Sequence, residues 1–298
     1  MGDMSLAQVV DFLAAPFVAS LILTGIHAYL GVHVVERGVI FVDLSLAQIA
    51  ALGATIAIFL PFSGGDPHAP SVYWVSLVFT FMGAAIFSMI RGKRARIPQE
   101  AIIGITYAVA SAAAILAMSK STSESEHLKD MLVGNIIAVS WHDVTKTAML
   151  YGAIGLFHYI FRKPFLAISL NHDREEVSGV NVRWWDFLFY ASFGFVVTSS
   201  VAIAGVLLVF CYLIVPSVAA MLFADTIGKR LAIGWTMGTI VSALGVYLSL
   251  ILDLPTGATI VCTFGLVLVL MAIVRVLVPR TAAVAVRHAP SAADRSRA

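Results

Sequence analysis

Charge is what this sequence has least of. Asp, Glu, Lys and Arg make up 12% of its 298 residues, against roughly 25% in an ordinary soluble domain. The net charge of +2 provides no basic field that would draw a nucleic acid. Cysteine is almost missing: Cys211 and Cys262 each stand alone in an apolar run, so no disulfide framework and no CxxC site is implied. There is no GxxxxGKS/T loop, because Gly228-Lys229-Arg230 lacks both the upstream glycine and the hydroxyl. HExxH and GxSxG are absent as well, which removes the zincin and nucleophile-elbow signatures. If the protein uses ATP, a partner must bind it. Lys and Arg are also lacking in Met1-Gly2-Asp3-Met4, so the first apolar run reads as a retained helix rather than a signal peptide.

What remains is 60% apolar, in stretches near or above the ~20 residues that cross a bilayer. The expected fold class is all-α, a polytopic membrane bundle of eight or nine transmembrane helices. The candidate spans are 9–35, 40–62, 72–90, 98–119, 143–161, 186–203, 205–223, 230–251 and 257–278. Only Ala204-Gly205 separates the sixth from the seventh, so the count is eight if one of the two is a broken helix. Residues 131–141 are too short to cross and read as a half-helix or re-entrant piece, which needs protein or water over its backbone. The transmembrane body is expected over 1–278, with a flexible, Ala-, Arg- and Ser-rich cytoplasmic tail over 279–298. Glycines within the spans, such as Gly31, Gly205 and Gly238, suit close helix packing.

With nine spans, all but Lys120, Lys129 and Lys146 of the 19 basic residues fall on one side. The positive-inside rule puts that side in the cytoplasm, the N-terminus outside and the C-terminus inside.

A charged segment lies between the fifth and sixth spans: Asn171-His172-Asp173-Arg174-Glu175-Glu176-Val177-Ser178-Gly179. Asn171 can cap a helix, the acids favour its positive end, and Gly179 suits the left-handed residue that closes it. About two turns of helix therefore sit on the cytoplasmic face, either as a capped connector or as a docking knob for a cytoplasmic partner.

Ionisable residues inside spans are candidates for function, and His27, Asp43 and His158 are of this kind. His27 either bonds a neighbouring helix or meets Asp43 across the first two spans. His158, near the cytoplasmic end of its span, reads as structural. His142-Asp143 can meet an ion at the outer end of the fifth span, although an Asp there is also an ordinary cap. Pro98 and Glu100 are ordinary helix-start residues.

Several stretches in order resemble the permease subunits of zinc/manganese-type ABC transporters. Asp173 and Gly179 are followed by Val180-Asn181-Val182, then Gly205-Val206-Leu207-Leu208-Val209 and Leu213-Ile214-Val215-Pro216. These match a charged coupling helix, a span, "G-x-L-L-V" and "L-I-x-P". Leu132-Val133-Gly134-Asn135 through Trp141 with Asp143 resembles "L-x-G-S-I-L-x-V-S", and Asp253-Leu254-Pro255-Thr256-Gly257 resembles "D-x-P-x-G". Phe41 to Gly53 resembles the second-helix motif. The likeness runs from Arg37 to about Val278.

It implies a vitamin-B12/metal-type ABC permease architecture and a homodimer or pseudo-dimer. A cytoplasmic ATPase subunit would dock on Asn171, Asp173, Arg174, Glu175, Glu176 and Gly179. An extracytoplasmic solute-binding protein would deliver a divalent metal of the zinc or manganese class. The chain itself would perform no covalent chemistry and bind no cofactor. The family's "G-D-A-L-S-H" carries Asp and His on one helix face. Aligned on Gly53, those positions are Leu44 and Gln48 here, and Asp43 lies one residue early. The implied metal path is therefore Asp43, Gln48 and His27, without the family's ligand pair. A stand-alone ion-coupled carrier, or a membrane metalloenzyme using His27, Asp43 and His142, is the rival. Neither a repeat between halves nor a three-ligand cluster is visible for it.

Overall fold

The computed structural model describes residues 6–63, 69–90, 97–119, 136–170 and 181–278. Among these it is all helix, with no strand. In chain order the helices are α1 (Leu6–Glu36), α2 (Val42–Ile58), α3 (Pro70–Ile90), α4 (Gln99–Met118), α5 (Trp141–Ile160), α6 (Arg162–Leu170), α7 (Val182–Phe223), α8 (Ile227–Leu252) and α9 (Thr256–Leu277). Short 3-10 turns occupy Pro61–Ser63 and Ile136–Ala138.

Burial, not apolarity, marks α1 as the central helix, since the more apolar α4 and α9 are the exposed ones. The most apolar window of α1 is 67% buried, against 22% for α4 and 17% for α9. It packs on α7, α8, α5 and α6, while α2 packs on α3, α4 and α7. Close approach at the centre needs a missing side chain: a Cβ on Gly31 would collide with the Leu213 carbonyl and the Ser217 hydroxyl.

Helix α7 is 42 residues long, and a straight helix of that length would hold its ends about 60 Å apart. Yet both ends meet the same turn of α1. Asp186, near the start, pairs with Arg37. The carbonyl of Ala224, just past the end, accepts from Arg230, whose guanidinium pairs with Glu36. The chain therefore doubles back within α7, and the break is Gly205, at φ 73° and ψ 163°. That φ is open to glycine and costs other residues energy. The two arms, 182–204 and 206–223, are the sixth and seventh spans read from the sequence. With them the described residues contain nine apolar helical segments, including the 17-residue α2 and the more polar α5.

Two details differ from the sequence reading. The second span is shorter than 40–62, because the helix stops at Ile58 and the chain tightens into a 3-10 turn at Pro61. Helix α6 was not foreseen. Arg162, Lys163 and Pro164 look like a loop, but proline and solvated cations are tolerated in a first turn, and Phe165, Ile168 and Ser169 are buried. Ile136–Ala138 is a 3-10 turn; the remainder of the 131–141 piece up to residue 135 lies outside the described residues, as does the 279–298 tail.

Gly205→Ala should cost about 1–2 kcal/mol through its positive φ. A lowered thermal midpoint in detergent would show this, with Gly104→Ala, where a Cβ meets nothing within 4 Å and alanine favours the helix, as the control that keeps or raises the midpoint. An unchanged midpoint for Gly205→Ala would contradict the assigned turn.

Candidate functional site

Polar side chains gather in two layers along α1. The layer at mid-helix is centred on His27, which is fully buried. Its Nδ1 lies 2.8 Å from the Leu23 carbonyl. A carbonyl only accepts, so Nδ1 carries the proton, and in the neutral ring Nε2 is left as an acceptor. That Nε2 faces the Ser200 hydroxyl at 3.2 Å. Tyr151, from α5, reaches into the same spot. Its hydroxyl bonds Ser200 and Ser199 on the first arm of α7. Thr80 of α3 meets Thr198, two residues before Ser200, at 3.1 Å. Thr80 and Ser199 also donate to carbonyls in their own helices, and the single Ser200 proton is shared between His27 Nε2 and the Val196 carbonyl, so these polar groups have partners within the bilayer depth.

The second layer lies at the end of α1. Arg37 Nη1 donates to Asp186 Oδ1 at 2.7 Å, and Arg37 Nε donates to Ser169 Oγ at 2.9 Å. The guanidinium carbon sits 3.8 Å from the centre of the Phe189 ring. Arg37 and Asp186 are both fully buried. His33 Nδ1 meets the same Ser169 hydroxyl at 2.8 Å. His158 is held between Ser192 Oγ at 2.8 Å and the Tyr29 hydroxyl at 3.4 Å, with its ring stacked on Phe165 at 4.3 Å. A cleft of about 570 Å³ between α1, α5, α6 and α8 runs past both layers, lined by Tyr151, Tyr29 and His158 with Gly25, Gly152 and Gly155.

The residues singled out from the sequence do not converge. His27 and Asp43 do not pair: both ring nitrogens of His27 are engaged elsewhere, and Asp43 is buried with neither carboxylate oxygen hydrogen-bonded. The reason is depth. His27 lies nine residues before the end of α1, about 13 Å along it, while Asp43 is in the first turn of α2. Gln48 is buried on α2, five positions from Asp43 and so about 140° around the axis. No cluster of three or more His, Cys, Asp or Glu able to hold a metal occurs among the described residues. Asp143 forms a full capping box with Ser140, and His158 is a packed, bonded core residue. Glu100 goes beyond a helix-start role: its Oε1 accepts the Phe41 N–H at 3.1 Å, capping α2 from α4. Asn171, Asp173, Arg174, Glu175, Glu176 and Gly179 lie outside the described residues. Sequence reasoning counted Arg37 only as a cytoplasmic charge and missed Asp186, Tyr151 and the serines. The one available signal was Asp186, an acid within the apolar run Trp184-Trp185-Asp186-Phe187-Leu188.

A family model described as "ABC 3 transport family" matches residues 9–275. Among curated relatives, "Manganese transport system membrane protein MntC" of Listeria innocua serovar 6a is 25% identical over 257 residues, covering 84% of this chain and 86% of that one. "Chelated iron transport system membrane protein YfeC" of Yersinia pestis is 25% identical over 242 residues, covering 81% and 79%. Among solved structures, "PsaBC from Streptococcus pneumoniae in complex with Fab" superposes with a TM-score of 0.73 at 22% identity, covering 90% of this chain and 95% of that one.

Tyr151→Phe removes the hydroxyl that ties α5 to α7. The expected cost is about 0.5–1.5 kcal/mol, read as a lower thermal midpoint in detergent. Tyr159→Phe, at a ring 65% exposed, should change nothing, and equal midpoints for both variants would contradict the assignment.

Proposed function

The chain belongs to the ABC 3 transport family, and from that premise we propose that it is the membrane-spanning subunit of an ATP-driven importer of a divalent metal. The observation that carries this reading is the family match over residues 9–275, which takes in every described helix almost end to end. The subunit performs no covalent chemistry. ATP is hydrolysed by a separate cytoplasmic ATPase, and an extracytoplasmic solute-binding protein delivers the cargo. A second permease copy completes the pore. The chain lies in the cytoplasmic membrane with its N-terminus outside and its C-terminal tail, 279–298, in the cytoplasm.

The cargo is manganese or ferrous iron before zinc. Relatives carry manganese and chelated iron in their names. Gln48 stands where the resembling permeases have His, and an amide oxygen suits a hard cation better than zinc. Asp43 supplies the carboxylate. A buried carboxylate with no hydrogen-bond partner is costly, and a passing cation offsets that cost. Asp43, Gln48 and His27 are then successive contacts along a path, not one coordination sphere.

Coupling runs through Asn171, Asp173, Arg174, Glu175, Glu176 and Gly179, which dock on the ATPase. ATP-driven closure of the ATPase pair tilts the flanking helices, and the two states differ in affinity for the cargo.

Two outcomes follow for vesicles holding the complex with its ATPase and binding protein. Asp43→Asn should lower Mn²⁺ uptake about tenfold or more, the effect of losing roughly 1.4 kcal/mol in the passage step, with ATPase assembly intact. Glu175→Lys with Glu176→Lys should leave ATP hydrolysis running while uptake stops. Uptake by the chain alone, without ATPase, would replace this reading with that of a stand-alone carrier.

A further inference from the structure

Ser169 is the penultimate residue of α6, just before the charged segment, and Asp186 follows it in the first turns of α7. The two residues therefore mark the helices on either side of residues 171–180. One side chain bonds both: Arg37, through Nη1 to Asp186 at 2.7 Å and through Nε to Ser169 at 2.9 Å. The Phe189 ring closes its third side at 3.8 Å, and His33, one turn earlier on α1, adds a second bond to Ser169 at 2.8 Å. A guanidinium has a rigid fork of donors and cannot be deprotonated here, so the three helices are held in a fixed relation. On the neighbouring residue, Glu36 pairs with Arg230 of α8.

We propose that Arg37 is a positioning residue for transport: it makes α1 move as one body with the helix ends that flank the coupling segment. A push on 171–179 is thereby delivered to α1 and to His27, ten residues away, about 15 Å along the helix axis. This rests on the ATPase-docking reading above. Without the clasp, α6 and α7 would tilt against α1 and the stroke would not reach it.

A merely structural ion pair and a transmitting one respond differently to replacement by apolar groups. A buried pair exchanged for well-packed apolar side chains of similar volume often keeps or gains stability. The test is Arg37→Met with Asp186→Leu, in the full complex in vesicles, read as Mn²⁺ taken up per ATP hydrolysed. The complex should assemble with its thermal midpoint kept and ATP hydrolysis persisting. Uptake per ATP should fall about fivefold or more, within the range typical of energetic coupling between sites. An unchanged ratio overturns the proposal. Should the double variant fail to assemble, Arg37→Lys decides by the same ratio. It keeps the charge and loses the fork, so a lowered ratio supports the clasp and lost stability at a normal ratio sinks it. A wild-type complex with no ATP-dependent uptake at all would instead sink the importer reading.

Discussion

The ion pair of Arg37 and Asp186 is the constraint on which the end of the bundle where α1 stops depends. Both partners are withdrawn from water, where the penalty per charge is several kcal/mol before pairing. Pairing alone does not offset that. Arg37 also uses its Nε on Ser169 and its face on Phe189, so the charge is met on three sides by residues of two helices, α6 and α7. Remove either partner and a lone buried charge remains, a change that typically costs about 3–5 kcal/mol. The pair thus fixes where α6 ends and α7 begins relative to α1.

From that fixed point the rest of the architecture follows. Because Asp186 and Ala224 are both drawn to the last turn of α1, α7 has to return on itself, and Gly205 supplies the backbone geometry for the return. The returning arm then lies so close to α1 that only glycine fits at position 31. In a bilayer no hydrophobic drive pulls helices together, so close packing and interhelical hydrogen bonds must do it. The Tyr151–Ser199–Ser200–His27 cluster and the Thr80–Thr198 contact supply those bonds at mid-depth.

Much of this was legible in the residues. Spans of 20 or so apolar residues announce themselves by length, and the family resemblance seen along Arg37 to Val278 agrees with the family match over 9–275. The doubtful junction at Ala204-Gly205 was the right place to doubt, since a glycine at positive φ breaks a helix without interrupting its hydropathy. Helix α6 was hidden because its charged first turn resembles a loop. Asp186 was hidden for a related reason: it sits at the margin of its span, where an acid normally faces water. Arg37 was counted in the positive-inside pattern, and only tertiary packing shows that it is buried. Of the two readings of His27, the bond to a neighbouring helix holds, through Ser200, and the meeting with Asp43 fails on depth, which a list of spans does not encode.

The central claim is that α1 and the helix ends flanking residues 171–180 form one body. Distances between spin labels in the assembled complex, with and without bound ATP, measure this directly. One label pair joins Ile40, just after α1, to Leu170 at the end of α6; the other joins Leu170 to Leu116 on the peripheral α4. All three positions are exposed. The account predicts an Ile40–Leu170 distance that stays constant between the nucleotide states while the Leu170–Leu116 distance changes. An Ile40–Leu170 distance that shifts as much as the other would contradict it.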